Sequence, residues 1–234
     1  MTETLQRTGA VAEGAAFLET VVRYHVQDEA GIPAETCITC AAWMAGTLLF
    51  RLVEQQGARH LPRGRVVLSD RVNQRLPALM GLVGAMVADG LPADPETDQT
   101  APPQTMPPLR LTLAQAQDLL DPVYLSYARR QALTPEQALM AATRATGQLA
   151  ARMRQVLGLP LSTHLAQYGL LEASKTAPRW PQRHDFAATH LKRFASILPR
   201  QSVWQRARTV LNGWAMPHDR DPDHRGVNAA GDLQ

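Results

Sequence analysis

One segment limits what this chain can fold into. From about Ala34 to Gln56 the sequence reads as a helix that is apolar nearly all round, through Ala41, Ala42, Trp43, Met44, Leu48, Leu49 and Phe50. A helix without a polar face has to be enclosed, so this one belongs in the middle of a bundle. Its small residues Ala41, Ala42, Ala45 and Gly46 allow a neighbouring helix to approach closely. The apolar run from Cys37 to Phe50 is about 14 residues and ends at Arg51, whereas a bilayer span takes about 20. The segment is therefore expected to be a buried core helix and not a membrane span.

The remaining sequence supplies helices to enclose it. A first helix is expected from about Val11 to Glu29, with Leu18, Val22, His25 and Val26 on one face. Gly31 and Pro33 separate it from the apolar helix. Arg65 to Leu68 is the one short extended piece. Ser69 or Asp70 then caps a third helix that runs to about Ala88. Leu79, Leu82, Val83 and Met86 form its expected buried side, and Pro77 predicts a kink or break. Thr112 with Gln115 and Thr134 with Gln137 are capping boxes, and Asp121-Pro122 reads as another helix start. The helix from Pro135 carries Leu139, Ala142, Leu149, Met153 and Val156 on one side, and Gly158 is placed for a left-handed C-cap. Shorter helices follow at about Ser162 to Ala173 and Asp185 to Leu198, with a last one opened by Ser202 and Gln205.

The fold class is thus all-α, a helical bundle of about eight helical segments with one short extended piece and a Pro-rich linker. Ala, Leu, Gln and Arg dominate, and aromatics make up only 5%, a composition that favours helix. The organisation expected is N-terminal apolar helices over 1–90, a linker over 91–108, C-terminal helices over 109–216 on the same core, and a polar, disordered tail over 217–234. The linker, Leu91 to Pro108, has several prolines and no periodic apolar face.

Three features bear on function. Cys37-Ile38-Thr39-Cys40 lies near the start of the apolar helix, where a helix N-terminus favours a thiolate and a Cys-x-x-Cys pair can close a disulfide. His25 would approach it if the first two helices form an antiparallel hairpin. Over Glu35 to Cys40 this segment resembles the all-helical thiol peroxidase-like proteins of the alkyl hydroperoxidase D type, which carry Cys-x-x-Cys on a helix with a histidine one turn later. That position is Met44 here, so the proton relay implied by the resemblance is missing. Both cysteines also fit as small buried core residues. One Cys-x-x-Cys supplies only two of the usual four zinc ligands, and no metal or cofactor is expected.

The second feature is a basic region. The net charge is only +3, but Arg179, Arg183, Lys192, Arg193, Arg200, Arg206 and Arg208 face a single acid, Asp185, between 179 and 208. Trp180, Trp204 and Trp214 lie among or beside them. This pattern suits nucleic acid or an anionic membrane surface, and equally an ordinary exposed face whose apolar residues dock on the core. The third feature is the helical surface itself. The leading expectation is a non-enzymatic interaction or scaffold protein that forms a homo-oligomer or binds a protein partner. A thiol-dependent redox enzyme using Cys37, Cys40 and His25 is the first alternative, and the nucleic-acid or membrane binder is the second. The N-terminal seven residues lack a charged-then-apolar leader pattern, and the expected location is cytoplasmic.

Overall fold

In a computed structural model of the chain, residues 2–29, 31–54, 57–90, 96 and 105–180 are described. They contain five helices: α1 (Thr2–Val26), α2 (Ala34–Val53), α3 (Asp70–Ala88), α4 (Leu113–Arg130) and α5 (Pro135–Ser174). The all-α class holds, with no strand among the described residues. The further helices expected at 185–198 and after Ser202, and most of the linker, lie outside the described residues.

α2 is the enclosed helix. Every residue from Thr36 to Arg51 is buried. Among the described residues it is the one helix long and apolar enough to cross a membrane, and 94% of that window is buried by the rest of the protein. Its apolarity is therefore accounted for by packing. The main partner is α5, which also receives α1 and α3. The contact is intimate because both helices offer small residues: Ala42 and Gly46 of α2 meet Gly169 and Ala173 of α5.

Local signals place the helix ends. The Thr112–Gln115 and Thr134–Gln137 capping boxes both form, and Ser69 caps α3 by accepting from the Val72 amide at 3.3 Å. α5 is two helical stretches joined at Gly158, whose φ of 75° and ψ of 164° only glycine adopts readily. The break falls where expected, but the ψ is extended and not the left-handed cap. α3 has no basic residue in its last turn. Arg154 of α5 supplies the cation, donating to the Ala88 carbonyl at 2.9 Å.

Two prolines do not break their helices. α3 runs through Pro77 and α4 through Pro122, so Asp121-Pro122 is not a helix start. An interior proline costs about 3 kcal/mol. Each fully buried apolar side chain returns about 1.5–3 kcal/mol, and around Pro122 the side chains of Leu120, Val123 and Tyr124 are all buried. Packing outweighs the local penalty. The buried face of α3 is Val72, Leu76, Leu79, Val83 and Val87. Leu79 and Val83 are buried as expected, and so are Leu139, Ala142 and Leu149 on α5, whereas Leu82 and Val156 are exposed.

The extended piece has a partner. Val66 pairs antiparallel with Thr176, just after α5. The Val67 amide donates to the Lys175 carbonyl at 2.8 Å, and the Ala177 amide to the Arg65 carbonyl at 2.8 Å. This pairing draws residues 177–180 back against the C-terminal end of α2, where Phe50, Ala58 and Ala177 form a small core with Leu61, Val67 and Trp180 packed on it.

Candidate functional site

Trp180 lies beside the last turn of α2 and is anchored there. Its indole N–H donates to the Ala58 carbonyl at 3.2 Å, and the Arg59 guanidinium carbon lies 5.5 Å from its ring centroid, within cation–π range. With α2, α4 and the start of α5 it bounds a recess of about 520 Å³. Leu48 and Leu52 come from α2, Leu125 and Ala128 from α4, and Leu133, Pro135 and Ala138 from the α4–α5 corner. The groove is partly open, and most of its lining is aliphatic.

Three arginines also line it: Arg51, Arg59 and Arg129. Arg59 and Arg129 are exposed. Arg51 differs, being only 8% exposed. Its Nη2 donates to Asp121 Oδ2 at 2.5 Å and to the Arg179 carbonyl at 2.7 Å. Its Nε and Nη1, and Asp121 Oδ1, are buried and have no hydrogen-bond partner among the described residues. Buried donors left unpaired cost about 1–3 kcal/mol each, so among the described residues this wall of the groove is under-satisfied. The α5 N-terminus stands at the same corner and adds the positive end of its dipole.

The expected thiol site is built differently from a redox centre. Cys37 and Cys40 are free thiols with no exposed surface. Burial pushes the Cys37 thiol up to about 12, with the charges of Arg23, Glu19 and Arg152 as smaller influences. Burial pushes Cys40 up further. Both are therefore held protonated, and a thiol is a poor nucleophile. His25 is half-buried, with its pKa lowered by burial, and sits edge-on to Tyr24 with ring centroids 5.2 Å apart. Alkylation with iodoacetamide at pH 8 is expected to be at least about 100-fold slower in the native protein than in the urea-unfolded chain. Labelling at the unfolded rate would revive the redox reading.

Of the basic set, Arg179 is described, and its backbone carbonyl is tied to Arg51. Arg183, Lys192, Arg193, Arg200, Arg206 and Arg208 lie outside the described residues. Among the described residues no group of three His, Cys, Asp or Glu side chains is placed to hold a metal. The walls of the groove come from residues 48–59, 125–138 and 180, and no local motif marks them.

The fold and the groove define an all-α protein with an arginine-lined apolar recess. No family model matches the chain, and no curated protein or solved structure matches it significantly. The geometry alone carries the functional reading.

Proposed function

We propose that this chain is a non-enzymatic helical binding protein that engages its partner through the groove bounded by α2, α4, the start of α5 and Trp180. The observation that carries the reading is the union of an aliphatic recess of about 520 Å³ with a buried, incompletely bonded arginine in its wall. Pockets of about 300–1,000 Å³ with mostly apolar walls and a few polar groups are the usual form of a ligand site. Several other buried polar groups of the core have structural partners, although Ser162 Oγ has none among the described residues. Trp43 donates to Glu172 at 2.7 Å, Gln117 to Thr47 at 3.0 Å, and Tyr124 to the Ala138 carbonyl at 2.8 Å.

Native mass spectrometry of the freshly purified full-length protein tests this. The expected spectrum holds a non-covalent companion, either a small molecule or a second polypeptide. Leu125→Trp fills the groove from a half-buried position and is expected to remove the companion while leaving the helical circular dichroism unchanged. A wild-type protein without any companion, or a companion indifferent to Leu125→Trp, contradicts the reading.

A further inference from the structure

α3 is apolar beyond what its packing uses. From Leu76 to Ala88 it has no polar side chain. The core takes one stripe of this run, Leu76, Leu79, Val83 and Val87. The outward side leaves Ala78, Leu82 and Ala85 exposed. A surface helix normally turns polar residues outward, and a helix apolar all round is enclosed. α2 follows that rule, because the rest of the protein buries it. α3 is enclosed on one side only.

The exposed side has a period and two charged ends. Arg75, Ala78, Leu82, Ala85 and Asp89 are all exposed and follow at steps of three, four, three and four residues. This is the heptad spacing of a helix seam that receives another helix. Alanines offer little apolar area to a lipid or a small ligand, but they let a second helix come close. Neither Arg75 nor Asp89 has a side-chain partner among the described residues. Arg154, the cation that α5 brings to this end of α3, donates to the carbonyls of Val87, Ala88 and Gly90 and not to the Asp89 carboxylate. The two charges lie seven residues to either side of Leu82, about 10.5 Å along the axis in each direction.

We propose that this face binds a second copy of the chain, α3 against α3, in an antiparallel two-fold packing centred on Leu82. A two-fold makes each contact twice. Leu82 meets the partner's Leu82 at the centre, and Arg75 meets the partner's Asp89 at both ends. Parallel packing would set Arg75 against the partner's Arg75 and Asp89 against the partner's Asp89, two repulsive pairs. The equal spacing of opposite charges about Leu82 therefore selects the antiparallel orientation. α3 has 19 residues, which makes it about 28 Å long and about 10 Å across. Alone it offers much less than the about 800 Å² per side of a stable interface, so the dimer is of the transient class, with a Kd in the micromolar range. No residue of α3 lines the groove, and the two surfaces act separately.

Sedimentation velocity of the full-length protein, from nanomolar to near-millimolar concentration, tests the proposal. A reversible monomer–dimer equilibrium is expected. Ala85→Glu places a charge in the seam from an exposed position and is expected to abolish the dimer with helical circular dichroism unchanged. Arg75→Asp and Asp89→Arg are each expected to weaken self-association about tenfold, because two opposite-charge pairs become two like-charge pairs. The double variant Arg75→Asp, Asp89→Arg rebuilds both pairs and is expected to recover wild-type association. A protein that stays monomeric throughout overturns the proposal. If that monomer unfolds more readily with Ala85→Glu, the chain's own residues cover α3, and if it binds phosphatidylcholine vesicles unless Ala85→Glu is present, a lipid surface does. Dimerisation unaffected by Ala85→Glu overturns the face, and a double variant as weak as the single ones overturns the antiparallel register. The groove reading fails independently, since Leu125→Trp is expected to leave the dimer intact and Ala85→Glu to leave the groove's companion in place.

Discussion

Asp121→Ala is expected to lower the unfolding free energy by about 3–5 kcal/mol, read from urea denaturation followed by circular dichroism. Asp121 and Arg51 have side chains about nine-tenths buried, with exposures of 11% and 10%. Removing the carboxylate leaves a guanidinium in the interior with the Arg179 carbonyl as its remaining acceptor among the described residues. An uncompensated buried charge of this kind costs about 3–5 kcal/mol, considerably more than an exposed ion pair contributes. The exposed pair Arg63–Asp118 serves as the control. Its side chains are 29% and 50% accessible, and Asp118→Ala is expected to cost less than about 1 kcal/mol. Equal effects at the two positions would mean that water reaches Arg51 in the native state.

The second large effect is expected at Gly46. A Cβ there comes within 2.6 Å of the Leu170 carbonyl oxygen, 2.8 Å of Ala173 Cβ and 2.9 Å of the Ser174 amide. Two of these are backbone atoms of the facing helix, so no rotamer change relieves the clash. Gly46→Ala is expected to destabilise by about 1–3 kcal/mol through overpacking, despite the usual gain of about 1 kcal/mol for alanine over glycine in a helix. Gly81, in the middle of α3, has nothing within 4 Å of its Cβ position, and Gly81→Ala is expected to stabilise by about 0.5–1 kcal/mol. The opposite signs at two helical glycines are the check. A stabilising Gly46→Ala would mean that α2 and α5 are not in contact there.

What the sequence made legible follows the range of the interactions. Caps act within four residues, so Ser69, Thr112 and Thr134 could be read directly. An all-round apolar helix declares its own burial, so α2 and its small-residue contact were also legible. Pro77 and Pro122 misled because the packing that carries the helix past them comes from other elements. The groove depends on separations that no local pattern encodes: Arg51 meets Asp121 70 positions away, and Trp180 reaches Ala58 across 122. The Cys-x-x-Cys spacing was visible, but its chemistry depends on burial by neighbouring helices, which spacing does not reveal.

The Arg51–Asp121 pair connects stability to binding. A buried ion pair replaced by apolar residues of similar volume is often neutral or stabilising, by up to about 4 kcal/mol. The proposed function assigns its presence in the groove wall to binding and not to the fold. The most direct measurement is the double variant Arg51→Met, Asp121→Leu, assayed side by side for urea unfolding and for the native-mass companion. The predicted result is stability within about 1 kcal/mol of wild type or above it, with the companion lost. Wild-type stability with the companion fully retained would contradict the assignment of this groove as the binding site.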